Sequence, residues 1–206
     1  MMYYSLEHKA PDVSFREAAL RGIAPDRGLY FPRHIPQFPE KFWQSLPERD
    51  FSDVAFELMA PYTEGSVPED VLREILQGTL SFEFPLVWLS EKIAVLELFH
   101  GPTMAFKDVG AGFMAACLAY FSETSDVKTT VLVATSGDTG GAVARGFLGV
   151  PGVEVVILYP KGMVSDIQER QLTTLGENIR ALRVAGTFDD CQGMVKRAFL
   201  DPALQE

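Results

Sequence analysis

The sequence is short of cysteine, of leader-like features and of positive charge. Its two cysteines, Cys117 and Cys191, stand far apart among 206 residues. With apolar neighbours in predicted helices, they read as buried thiols in a reducing compartment, not as a disulfide framework. No Cys-x-x-Cys or His-x-x-x-His spacing points to a metal. The N-terminal MMYYSLEHK lacks the basic and apolar regions of a secretory signal, and no apolar run is long enough to cross a bilayer. A soluble cytoplasmic protein is expected. Lys and Arg number 18 against 28 Asp and Glu, a net charge of −10, which argues against nucleic acid or an anionic membrane as partner. A bound phosphate would have to be held locally, by backbone N–H groups at helix starts.

What is there is a globular composition, 47% apolar and 22% charged, in a chain long enough for a core. Residues 1–80 read as a small helical domain. A short strand or extended arm leads to a helix opened by Ser14 and Glu17, a capping-box spacing, and stopped by Gly22. Five prolines between Pro25 and Pro47 predict a long surface loop. Ser52 is expected to cap a helix ending near Pro61, and Pro68 to open one ending at Gly78.

Residues 81–206 read differently. Apolar runs at 87–99, 129–135, 153–159 and 178–185 alternate with helices over 108–121, 139–147, 165–175 and 188–200. The runs at 131–135 and 153–159 are rich in β-branched residues and do not alternate with polar ones, the pattern of strands buried on both faces. An open, mostly parallel, three-layer α/β sheet follows. Thr187 and Asp190 predict a cap for the last helix.

Ligands of such sheets sit off the carboxyl ends of the strands, and two strand-to-helix turns fall there. In the first, Ala94–Phe99 reads as a mostly buried strand, His100-Gly101-Pro102-Thr103 breaks it, and Lys107 precedes a helix. Phe99, Met104, Ala105 and Phe106 are expected to crowd that lysine. Apolar walls and the positive end of a helix both disfavour an ammonium and leave more of the neutral amine that a Schiff-base lysine needs. The alternative is a lysine that reaches solvent or pairs with Asp108. The second turn, Ala134-Thr135-Ser136-Gly137-Asp138-Thr139-Gly140-Gly141, has glycines for close backbone approach and hydroxyls for hydrogen bonds. It is neither a Walker A loop nor a GxGxxG fingerprint, and a plain tight turn with an N-cap is the alternative.

Together the two turns resemble motifs of the threonine synthase family. Glu97–Asp108 is similar to its pyridoxal-phosphate lysine segment, and Ala134–Gly140 to its next motif. Three other stretches agree in order: Ser14-Phe15 through Gly28–Pro32, Ile157–Gly162 with Ser165 and Gln168, and Gly186–Gln192. The resemblance implies an incomplete fold of the tryptophan synthase beta-like kind (pyridoxal-phosphate fold type II). It implies that Lys107 carries pyridoxal 5'-phosphate and shuttles protons at Cα and Cβ of O-phospho-L-homoserine. Phosphate then leaves Cγ and water adds at Cβ to give L-threonine. It places Asp138 against the cofactor, and Ser136, Gly137, Thr139, Gly140 and Thr103 on the substrate. Ser165 and Gln168 are either phosphate contacts or a helix cap with an exposed polar neighbour. Family members are considerably longer, with the glycine-rich cofactor-phosphate loop downstream, so these residues are expected to form the first part of the catalytic domain. They would need a C-terminal half and have little activity alone, with an oligomer open to them. The rival expectations are a phospho-lyase giving 2-oxobutyrate and a silent half-fold binding module.

Overall fold

The computed structural model describes residues 1–123 and 128–204, which divide into two compact units, Met1–Gly78 and Thr79–Glu206. In the first unit, β1 (Met2–Ser5) lies between β2 (Val13–Ser14) and β3 (Tyr30–Pro32), antiparallel to both. Helix α1 (Phe15–Arg21) opens where the Ser14 hydroxyl accepts from the Glu17 N–H at 3.2 Å, and stops at Gly22 with φ 67°. The proline-rich stretch is not simply the expected loop, since it contains β3 and α2 (Glu40–Ser45). Local composition cannot reveal β3, because its partner β1 lies some 27 residues upstream, Tyr3 facing Pro32 and Ser5 facing Tyr30. Gly28 is required by contact: a Cβ there would lie 2.0 Å from the Ser5 hydroxyl.

Helix α3 (Phe51–Thr63) is capped by Asp50, which accepts from the Ser52 N–H at 2.8 Å, and not by Ser52. It runs through Pro61 instead of ending there; a proline this near the end disturbs only the final turn. Helix α4 (Glu69–Thr79) follows. The first unit is therefore mixed α and β, with a core that includes Tyr3, Val13 and Ala18.

The second unit carries a parallel sheet in the order β6 (Thr129–Ala134), β7 (Val153–Pro160), β8 (Ile179–Val184). In β7 the residues Val153, Val155, Ile157 and Leu158 are all buried, as expected of a strand covered on both faces. Helices α5 (Lys107–Glu123), α6 (Asp138–Phe147) and α7 (Asp166–Thr173) pack in succession along one layer, while α8 (Phe188–Ala198) packs on β6 and β7. Thr187 and Asp190 form a full capping box on α8. Cys117 and Cys191 are free thiols with no exposed surface. No helix among the described residues is long and apolar enough to cross a membrane.

The stretch before Lys107 departs from expectation. β4 (Leu86–Ser90) and β5 (Ile93–Leu96) form an antiparallel hairpin outside the parallel sheet. Trp88 is 64% and Leu89 67% exposed. An apolar run shows that a strand is suited to being covered but not what covers it, and no described residue buries this one.

Candidate active site

Lys107 is the first residue of α5, one position earlier than the sequence suggests. It is half-buried, and its amine lies 4.2 Å from the centre of the Phe106 ring. The apolar walls expected around it are thinner than the sequence implies: Phe99, Met104 and Phe106 are exposed and only Ala105 is buried. With no element among the described residues packed over the loop, those side chains face outward. Pairing with Asp108 does not occur either. The buried Asp108 carboxylate turns back into the loop, where it accepts from the Thr103 N–H at 2.9 Å and from the Thr103 hydroxyl.

That carboxylate organises the whole approach to the lysine. A Cβ on Gly101 would lie 2.6 Å from an Asp108 oxygen and 2.9 Å from the Phe82 ring, so only glycine fits. The Met104 N–H donates to Gly101 O at 3.1 Å while Met104 takes a φ of 57°, which strains a side chain-bearing residue. On the flank, His100 and Glu97 meet at 2.7 Å. The loop is thus held in one shape that delivers Lys107 to a helix start.

The second turn is held by a residue that the motif reading did not single out. The Thr135 hydroxyl accepts from the N–H groups of Gly137 at 3.0 Å and Gly140 at 2.8 Å, and donates to Gly137 O at 3.1 Å. These two glycine N–H groups are therefore spent inside the turn, and what the glycines supply is shape. Gly137 has a φ of 147°, and a Cβ there would meet the Gln168 amide at 2.4 Å; one on Gly140 would meet Thr135 Cγ2 at 2.5 Å and Leu172 Cδ2 at 2.8 Å. Ser136 and Asp138 are exposed and Thr139 is half-buried. They carry the turn's outward chemistry, Ser136 just ahead of α6 and Asp138 and Thr139 as its first residues, where N–H groups lack intrahelical acceptors.

Ser165 and Gln168 form a capping box on α7, and Gln168 does more than cap. Its amide donates to Asp138 Oδ1 at 2.7 Å, fixing the orientation of that carboxylate. A cleft of about 480 Å³ is lined by Pro102 and Thr103 of the lysine loop, by Gly141 and Arg145 of α6 and by residues between 167 and 175 around α7. Of the expected site residues only Thr103 lines it; Lys107, Ser136, Gly137, Asp138, Thr139 and Gly140 do not.

Sequence and structure comparisons show what the chain is similar to. Residues 2–80 match the model described as threonine synthase N terminus, and residues 85–203 the one described as pyridoxal-phosphate dependent enzyme. Threonine synthase of Escherichia coli is 40% identical over all of this chain and 47% of its own length. That of Haemophilus influenzae is 42% identical over all of this chain and 48% of its own. The chain thus spans about half the length of the relatives it matches. Among solved structures, threonine synthase from Escherichia coli superposes with a TM-score of 0.91 at 40% identity, covering 100% of this chain and 47% of that one. A pyridoxal-phosphate-bound threonine synthase from Brucella melitensis gives 0.89 at 38%, covering 98% and 45%. With its second model spanning more than half of the sequence, the chain belongs to the pyridoxal-phosphate dependent enzyme family and resembles the N-terminal portion of threonine synthases along its whole length.

Proposed function

We propose that the chain is the N-terminal portion of a cytoplasmic threonine synthase, which turns O-phospho-L-homoserine and water into L-threonine and inorganic phosphate. The observation that carries the reading is Lys107: an amine at a helix start, unpaired with its neighbour Asp108, at the end of a loop braced for it.

The residues present fit the aldehyde end of pyridoxal phosphate, because this amine has no carboxylate partner among the described residues and is partly open to solvent. When bound, the cofactor supplies an electron sink for a carbanion. Lys107 anchors it and then moves protons at Cα and Cβ of the substrate. The hydroxyls of Ser136 and Thr139 and the free N–H groups at the start of α6 hold the substrate carboxylate. Gly137 and Gly140 let it approach closely, and Thr103 borders it from the lysine loop. Asp138, oriented by Gln168, meets the edge of the cofactor. A further half of the fold, covering the β4–β5 hairpin and gripping the cofactor phosphate, completes the site, and the 206 residues alone bind cofactor weakly and turn over little.

The test is borohydride reduction of the chain with pyridoxal phosphate, followed by peptide mapping. The label is expected on Lys107 and is lost in Lys107→Ala; a label spread over other lysines alone sinks the reading. In the full-length protein, O-phosphohomoserine should yield threonine, whereas 2-oxobutyrate would assign a phospho-lyase.

A further inference from the structure

Asp108 is buried in the first turn of α5, directly after Lys107 in the chain. One of its carboxylate oxygens accepts the Thr103 N–H at 2.9 Å and the other accepts the Thr103 hydroxyl. Its own N–H donates to Ala105 O at 3.0 Å. Residues 103–108 are thereby closed into a ring, and the Lys107–Asp108 peptide is pinned both at its N–H and by the side chain beside it. Space is made for this ring: Gly101 lies against the carboxylate, where a Cβ would come within 2.6 Å of an oxygen. A hydroxyl has one proton to give, and that of Thr103 goes to Asp108. It has none left to donate to a bound substrate, although Thr103 lines the cleft.

From this we propose that Thr103 and Asp108 are positioning residues that act on the reaction through Lys107, and that the Thr103 hydroxyl is not a substrate contact. The inference rests on the reading of Lys107 as the amine that takes the aldehyde, and adds what holds that amine in place. A lysine ends in a flexible four-carbon stem, and a misplacement of about 1 Å at a reacting group can slow a reaction about a hundredfold. The ring removes the part of that freedom that lies in the backbone. It also fixes Phe106, whose ring centre lies 4.2 Å from the amine, so that the lysine and an aromatic surface beside it are set by the same bonds. A hydroxyl held by a carboxylate makes a stronger bond than one between neutral groups, and the burial of Asp108 shields this one from water.

Labelling of the chain by pyridoxal phosphate and cyanoborohydride, quantified by peptide mapping, tests this. The readout is the rate at Lys107 relative to the exposed Lys92 and Lys196. Thr103→Val, which keeps the shape and removes only the hydroxyl, and Asp108→Ala should each lower that ratio about tenfold, the rate equivalent of one strong hydrogen bond. The double variant should lose no more than Asp108→Ala alone, because the two residues act as a unit. Thr103→Ser should recover most of the ratio. Val155→Ala, in the core of β7, should lower the urea midpoint and leave the ratio unchanged, which separates positioning from stability. Circular dichroism checks that each variant is folded, and Thr103→Val decides alone if Asp108→Ala is not. In the full-length protein, Thr103→Val should lower kcat about tenfold while KM for O-phosphohomoserine changes less than about twofold. An unchanged labelling ratio in Thr103→Val, or a raised KM at unchanged kcat, overturns the proposal. Equal labelling of Lys107, Lys92 and Lys196 in the unaltered chain overturns the reading of Lys107 itself, and the proposal with it.

Discussion

A single hydroxyl holds the glycine turn together. Thr135 is 1% exposed and serves two N–H groups and one carbonyl. Thr135→Val keeps the volume but strands both donors, with an expected loss of about 2–3 kcal/mol in chemical denaturation, while Thr135→Ser loses far less. Gly140→Ala forces a methyl against Thr135 and Leu172 and should cost about 1–3 kcal/mol. At this scale the sequence was half legible. The spacing of Gly137 and Gly140 signalled a turn, but Thr135 read as one more small polar residue. What makes Gly140 necessary is Leu172, on the next helix of the sheet. Asp108 was hidden for a related reason: its partner Thr103 precedes it within the same loop, so charge alone suggested Lys107.

Among the elements, the ones specified by neighbours on both sides were the easiest to see. The run at 153–160 is buried at six of its eight residues, that at 129–134 is half-buried except at the exposed Thr130, and α8 carries its own capping box. The short strand or arm expected at the start of the chain is β1, whereas β3 escaped notice because a three-residue strand ending in proline owes its existence to pairing across the chain. The β4–β5 hairpin was seen as strand but assigned to the wrong environment. Its exposed Trp88 and Leu89 form an apolar surface of the kind that invites association. The isolated chain should bind a hydrophobic dye and self-associate. A Trp88→Ser, Leu89→Ser double variant should reduce both severalfold while leaving the far-ultraviolet spectrum intact; equal dye binding in the two proteins would contradict this.

Over the whole molecule, the alkaline side of the stability profile has a defined origin in each unit. Burial pushes the Cys117 thiol up to about 12 from its usual 9.0, and burial together with Tyr62 pushes Tyr3 up to about 12. Unfolded, the thiol ionises near its ordinary value; folded, it stays protonated. Its contribution is therefore complete below about pH 9 and is lost as pH rises toward about 12. Urea midpoints should fall across that window, and Cys117→Ala should flatten the part of the decline that belongs to the second unit. Tyr3→Phe, which removes the bond to Tyr62 O at 2.8 Å, should cost the first unit about 1 kcal/mol at neutral pH.

Gln168 reaches from the start of α7 to Asp138 and lies flat on Gly137. The mouth of α6 and the mouth of α7 are consequently coupled like two gears on one axle. Disturbing Ser165 would be felt at the glycine turn, and a bulkier residue at 137 would evict the amide that keeps the second helix seated.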